Sequence, residues 1–374
     1  MKILIFDWSV SGHHLEYLHH LYMGALQHRQ HSYIFLLPKA FENAKTKFVW
    51  PDAKHITIQY LSEAELRRSN KPQLLISAWH KSIIVRNAVK RNAIDSVWLI
   101  SLMHLMPFLP WVLPNRVQIQ GILYRIYFYE GSTIHGVRLL LERLRYRLMI
   151  ASRNLVRILV LNDQSATDKL NESYRTSKFF YLPDPIPEID DSKVRDIRSE
   201  IGAVEKDCIY LHFGALDERK GTLEILKAIQ MMSAESLKDK VFVFAGVIHS
   251  EIKNKFYTLL EAVKKKAHII VFDEFCSYEH LYNLCYSCDC ILIPYQNTNQ
   301  SSGVIGVAAH FKKPVIGPNK GLLGKLIIEY NLGGAYNNIN AIGLKEIINS
   351  GKITPCSGKY SKTHTVNLFT KSFL

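Results

Sequence analysis

The stretch Pro294 to Pro318 reads PYQNTNQSSGVIGVAAHFKKPVIGP. It predicts a strand end, a polar loop, a glycine turn, a helix of small residues and a second strand. Ser301-Ser302-Gly303 stands where the loop gives way to the helix, which is expected to end near Phe311. A helix N-terminus carries unpaired backbone N–H groups and partial positive charge, so it attracts an anion. Gly303 brings no Cβ and lets a phosphate approach the backbone. Ser301 and Ser302 can cap the helix or donate to phosphate oxygens, and the backbone from Ser301 to Val304 forms the expected anion seat. Ala308 and Ala309 let the helix lie close to its sheet, and Val315-Ile316 reads as a buried strand. An ordinary capped helix in an α/β domain has the same signature.

A second stretch points the same way. Ile209 to Phe213 is an apolar, strand-like run that opens into Gly214-Ala215-Leu216-Asp217-Glu218-Arg219-Lys220-Gly221. A helix is expected next, with Ile225, Leu226, Ile229 and Met232 on one face. Arg219 and Lys220 then stand at a strand-to-helix turn, where open parallel sheets bind ligands. Two such turns in one domain suit a diphosphate. Neither GxxxxGK[ST] nor GxGxxG occurs.

The pieces FGALDERKGTLEILKAI, CDCILIPYQ, SSGVIGVAAHFKKPVI and GLLGKLIIEYNLGG, in that order and spacing, resemble the family-4-like bacterial glycosyltransferases of the GT-B fold. The resemblance covers roughly Cys208 to Gly334 and is fainter before it. It implies an α/β chain with two Rossmann-like domains facing an interdomain cleft. The C-terminal domain would hold a nucleotide-diphosphate sugar and the N-terminal one the acceptor. The lysine of the family's strand-to-helix turn contacts the donor diphosphate, and Lys220 matches it. The family often has an arginine directly after the first glycine; this chain has Ala215, and Arg219 is the candidate substitute. Many relatives carry Glu-x7-Glu before the small-residue helix, the first glutamate touching the sugar and the second the ribose hydroxyls. The matching positions here are Asn299 and Val307. Asn299 can still bond a sugar hydroxyl; Val307 cannot bond ribose. The segment VFDEFCSYEH resembles the one that lines the nucleotide base. It offers Phe275 for stacking, with a place in the core as the equal alternative, and Asp273 or Glu274 as acceptors. Asp289 matches a common family acid and reads as structural.

The length of 374 residues suits two domains, and a hydrophobic fraction of 48% suffices for two cores. A formal net charge of +14 implies an anionic partner: phosphorylated ligands, an acidic membrane face or nucleic acid. No nucleic-acid motif is present, which sets the last aside. Six cysteines are too few for a disulfide scaffold. Cys285, Cys288 and Cys290 lack the further ligands of a zinc site and read as buried thiols. MKILIFDW runs straight into a strand, and no apolar run has signal-peptide or transmembrane character. The expected location is cytoplasmic.

Strands are expected at Ile3–Phe6, Tyr33–Leu37, Ile56–Tyr60, Val97–Ile100, Val117–Leu123 and Arg157–Leu161, with helices between several of them. Leu182-Pro183-Asp184-Pro185-Ile186-Pro187 is the linker, because its prolines forbid a helix. A charged helix over about Ser192–Ile201 is expected next, then strands through Val241–Ala245, Ile269–Phe272, Cys290–Ile293 and Pro314–Ile316. The expected domains are 1–183 and 184–352, with a tail at 353–374 returning to the first.

In the N-terminal half, Gly12-His13-His14 matches the family's glycine-bearing loop after the first strand. Gly12 would let donor phosphates approach, His13 would act as a base or phosphate partner, and His14 would face the acceptor. Tyr124 and Arg125 end another strand on the acceptor side, where some relatives carry a histidine; here His104 or His13 would have to supply an imidazole. HHLEYLHH fits neither HExxH nor HxxEH, so no metal is expected. The basic stretch 137–158 has Val137, Leu141, Leu144 and Leu148 on one face, with Arg138, Arg143, Arg145, Arg147, Arg153 and Arg157 for charge. It suits an anionic lipid surface, or a solvated helix packed on its own domain.

The expected function is transfer of a sugar from a nucleotide-diphosphate donor to a saccharide, in particular a lipid-linked one, in surface polysaccharide assembly. The catalytic set is His13, Lys220 and Asn299, with no cofactor and a peripheral position at the inner membrane face. The alternatives are a catalytically impaired nucleotide-sugar-binding GT-B protein and a GT-B nucleotide-sugar epimerase.

Overall fold

Apolar runs without a polar face form the strands. Ile3, Leu4, Ile5 and Phe6 are each at most 1% exposed, as strands covered on both faces must be. A computed structural model describes residues 1–10, 12–124, 126, 136–351 and 353–374, without the side chains of 137 and 138. The expected Arg125 lies outside the described residues.

Thirteen strands are described: β1 (Lys2–Phe6), β2 (Ser32–Pro38), β3 (Ile56–Leu61), β4 (Ser96–Leu99), β5 (Gln118–Leu123), β6 (Leu155–Leu161), β7 (Phe179–Leu182), β8 (Cys208–Phe213), β9 (Lys240–Ala245), β10 (His268–Phe272), β11 (Cys290–Leu292), β12 (Val315–Pro318) and β13 (Gly333–Tyr336). They make two sheets, ordered β3-β2-β1-β4-β5-β6-β7 and β10-β9-β8-β11-β12-β13. Every pairing is parallel. Both sheets are doubly wound. The strand order reverses beside β1 in the first and beside β8 in the second, and ligands of such sheets sit at the carboxyl ends of the strands flanking that reversal.

Alternate residues feed opposite layers. Leu4, Phe6, Ile34 and Leu36 join one core of the first sheet; Ile3, Ile5, Tyr33 and Phe35 join the other. The second sheet has the same two-sided packing.

The chain divides into Met1–Asp184 with Val366–Leu374, and Pro185–Thr365. The returning segment is thus the last nine residues, while 353–365 stay with the second unit. Phe369 and Phe373 fill the first unit's core at 0% and 1% exposure. Gln120 Nε2 donates to the Phe373 carbonyl and Arg157 Nη1 to that of Ser372.

The structure corrects two expected helices. Over Ser192–Ile201 there is only a 3-10 turn, Asp191–Lys193, followed by turns. Asp190 and Asp196 accept from the amides of Ser192 and Arg198, and such local bonds compete with the helix ladder. The basic stretch 137–158 is not one helix. The helix is Val137–Ala151; Arg153 lies in the following turn and Arg157 in β6. Cys285, Cys288 and Cys290 are fully buried, and burial pushes their thiols up, that of Cys288 to about 12. Among the described residues no three His, Cys, Asp or Glu side chains are grouped to hold a metal ion, and no helix is long and apolar enough to cross a membrane.

Two expectations follow for stability. Phe369→Ala leaves a cavity where the tail seats and should cost about 3–5 kcal/mol, seen as a lower denaturant midpoint of the first unit. His212, in β8, is 1% exposed. Its Nδ1 lies 2.9 Å from the Leu292 carbonyl and its Nε2 3.1 Å from Thr222 Oγ1. Burial lowers its pKa to about 4, below the unfolded 6.5. Its contribution is therefore complete above pH 6.5 and lost as pH falls toward 4, by about 3 kcal/mol in all. Melting followed from pH 7 to pH 4.5 should show this loss, with a shallower slope in His212→Gln.

Candidate functional site

The second unit brings its two expected turns together at the strand-order reversal between β8 and β11. One turn follows β8, Gly214 to Gly221; the other follows β11, Pro294 to Ser302. The Gln296 amide donates to the Arg219 carbonyl at 2.9 Å. Gly221, at φ +71°, has room for no side chain: a Cβ would stand 2.0 Å from the Pro294 carbonyl oxygen. Bare backbone is what allows this contact.

Side chains complete the join. Lys220 Nζ lies 5.2 Å from the centre of the Tyr295 ring. It folds over Gly214, where a Cβ would stand 3.0 Å from the ammonium. The Tyr295 hydroxyl lies 3.1 Å from Ser302 Oγ, and both residues are buried, at 4% and 8% exposure. Ser302 caps the helix Gly303–His310, its Oγ accepting from the Val304 amide at 3.4 Å. A partly buried ammonium, a tyrosine and a helix N-terminus thus lie in one row. Among the described residues Lys220 enters no ion pair. Arg219 is turned elsewhere: its Nη2 pairs with Asp217 at 3.2 Å, and the side chain is half exposed.

Ser301 and Asn299 lie in the loop before the helix. Asn299 Oδ1 lies against the start of the next helix, Gly321–Glu329, 2.8 Å from where a Cβ on Gly321 would stand. Val307 is core, 8% exposed and packed with Ile305, Ala308 and Ala309. At the end of β10, Asp273 accepts from the Ile248 amide at 2.9 Å and Tyr257 at 3.0 Å and pairs with Lys253 at 2.7 Å. Those bonds tie the β9 loop to β10 and explain the acid without a base. Glu274 is exposed. Phe275 is 72% exposed, which removes its core reading.

The first unit gathers a separate polar group at its own reversal, between β1 and β4. Asp7, at the end of β1, is 1% exposed. It accepts from His14 Nδ1 at 2.7 Å and from the amides of Trp8 and Ser9 at 2.7 and 3.3 Å. Burial raises its pKa, and His14 and the two amides oppose that rise. The His14 ring stacks on Tyr124, centres 5.7 Å apart, and Tyr124 stacks on Tyr17 at 6.3 Å. Tyr17 donates to Asp184 at 2.5 Å. The Tyr124 hydroxyl is buried with no hydrogen-bond partner among the described residues. Burial, then Asp7 and Asp184, hold that phenol well above its usual range. Gly12 precedes the helix His13–Gln27 at φ +57°, open to solvent. His13 is half exposed and pairs with Glu16 at 3.2 Å, away from Asp7. His104, after β4, shows an exposed edge, yet burial first, and then its neighbours Lys81, His14 and Arg145, lower its pKa to about 4.

Sequence reasoning missed Tyr295, Asp7 and Lys81. Asp7 had a signal, an acid closing the apolar run ILIF. Lys81 had none, since Trp8 is remote in sequence, and the contact of Tyr295 with Lys220 is remote likewise.

No family model matches the chain, and no curated protein matches it by sequence. Solved structures do match over its whole length. HepE of Anabaena, in complex with UDP and glucose, superposes with a TM-score of 0.68 at 16% identity, covering 100% of this chain and 98% of that one. Sucrose-phosphate synthase from Thermosynechococcus elongatus gives 0.68 at 13%, covering 100% and 96%. WaaG, a glycosyltransferase involved in lipopolysaccharide biosynthesis, gives 0.62 at 16%, covering 99% and 92%. At such identities the likeness carries the fold, which is GT-B with two Rossmann-like domains.

Proposed function

We propose that the chain is a glycosyltransferase that takes a sugar from a nucleoside-diphosphate donor. The observation that carries this is the row Lys220, Tyr295, Ser302 at the reversal of the second sheet. When the bond from the sugar's anomeric carbon to the diphosphate breaks, negative charge grows on the departing phosphate oxygen. Lys220 and the backbone of Ser301, Ser302, Gly303 and Val304 would stabilise it, Arg219 adding charge from the rim. HepE has been solved with UDP-glucose, which supports a UDP-sugar as the first donor to try. Phe275 is exposed to stack on a base. No metal is invoked, because the ammonium and the helix start supply the countercharge.

The acceptor belongs to the first unit, at His14, His104 and Tyr124. We assign it to the saccharides, lipid-linked ones foremost, in surface polysaccharide assembly at the cytoplasmic face of a membrane. The helix Val137–Ala151 supports this, with Leu140, Leu141 and Leu144 exposed beside Arg143 and Arg147. Arg and Leu on one exposed surface suit anionic lipid.

A second reading, a nucleotide-sugar-binding protein without transfer, is favoured by Val307, whose buried side chain offers ribose no acceptor. Slow donor hydrolysis that releases nucleoside diphosphate separates the two, since only an enzyme gives it. UDP should raise the melting temperature of the wild type, and Lys220→Ala should bind UDP roughly 10- to 100-fold more weakly with its fold retained. Equal UDP affinity in that variant contradicts the assignment.

A further inference from the structure

The first unit holds an ammonium that nothing so far explains. Lys81 lies on the helix Leu74–Asn92 and is 7% exposed. Among the described residues it has no ion pair and no hydrogen-bond acceptor; its Nζ lies 4.8 Å from the centre of the Trp8 ring. Trp8 directly follows β1, so the ammonium reaches the carboxyl edge of the sheet at its reversal. Burying an unpaired ammonium destabilises a fold. A chain that keeps one there has a use for it, or a counter-ion not yet bound.

The neighbouring charges narrow the choice. Asp7 is the carboxylate whose charge acts on Lys81, but its oxygens already accept from His14, Trp8 and Ser9. Glu142 faces Arg145 at 3.7 Å. Arg145 Nη2 donates to the Met103 carbonyl, and its Nε is buried without a partner among the described residues. His104, one residue on from Met103, has Lys81 and Arg145 as neighbouring cations and His14 close by. Both carboxylates are engaged, while among the described residues Lys81 has no acceptor and the Tyr124 hydroxyl no hydrogen-bond partner. That is an incomplete polar site whose missing member is an anion able to accept hydrogen bonds.

We propose that Lys81, with His104 beside it, binds a phosphate group carried by the acceptor. The inference rests on the reading of the first unit as the acceptor side, and it narrows the acceptor class to phosphorylated saccharides. The phosphate belongs either to a soluble sugar phosphate or to a lipid headgroup. Lys81 selects the acceptor by charge and takes no part in bond breaking.

The test uses the full chain in the Lys220→Ala background, which weakens the donor seat. Inorganic phosphate is the probe, with ionic strength matched by chloride. Phosphate should raise the melting temperature of Lys220→Ala by a few degrees, on the order of 2–4 °C. Adding Lys81→Met should abolish that gain. Lys81→Met should also melt no lower than its parent without phosphate, since it removes a buried charge. A merely structural lysine would give a lower melting temperature and leave the gain intact, which overturns the proposal. So does a Lys220→Ala protein that phosphate fails to stabilise. Unchanged UDP affinity in Lys220→Ala would instead contradict the donor assignment, so the two failures are distinguishable. Two further arms identify the source. Lys81-dependent stabilisation by glucose 6-phosphate assigns a soluble sugar phosphate. Lys81-dependent flotation with polyprenyl-phosphate vesicles assigns a lipid headgroup.

Discussion

Two backbone turns of the second unit meet with no side chain between them. The Arg219 carbonyl accepts from Gln296, and Gly221 packs its bare backbone on the Pro294 carbonyl. That contact fixes where Lys220 starts and where Tyr295 points. Tyr295 then supports the ammonium on its ring and bonds the cap of the small-residue helix through its hydroxyl. Each piece is ordinary alone. Together they set a cation and a helix N-terminus side by side at the one edge of a parallel sheet where a ligand has room. The helix lies close because Val307, Ala308 and Ala309 bury against the sheet. The same packing puts an apolar side chain, not an acid, at Val307.

The first unit repeats the topology with different chemistry. Its reversal holds a buried carboxylate bonded to a histidine and, among the described residues, a phenol without a hydrogen-bond partner and a lysine without a counter-ion. Desolvation shapes all three: it raises Asp7 and Tyr124 and lowers Lys81. Stability alone would favour apolar residues at these positions. Asp7 and Tyr124 stand at strand ends and Lys81 reaches the same edge from its helix, where a ligand rather than the core would meet them.

Much of the fold was legible in the sequence because parallel strands covered on both faces are unbroken apolar runs, as in ILIF and CILIP. β7 and β13 escaped notice. The first runs into the linker prolines, and the second begins with Gly333-Gly334, which lack the branched side chains that mark a strand. The helix over Ser192–Ile201 was overread because its charges suggested a solvated face, whereas its aspartates bond the local backbone instead. In the site, Lys220 and Ser302 were legible from turn chemistry. Arg219 carried the right charge, but Asp217 two residues earlier holds it. Lys81 and the contact of Tyr295 with Lys220 were illegible, because each joins residues far apart in the chain.

The central claim is that the Lys220–Tyr295–Ser302 row holds a diphosphate. An experimental structure of the chain with UDP tests it most directly. The account predicts the β-phosphate within hydrogen-bonding distance of Lys220 Nζ and of the backbone at Gly303 and Val304. A diphosphate bound elsewhere, with Lys220 still resting on Tyr295 and the helix start bare, would contradict it.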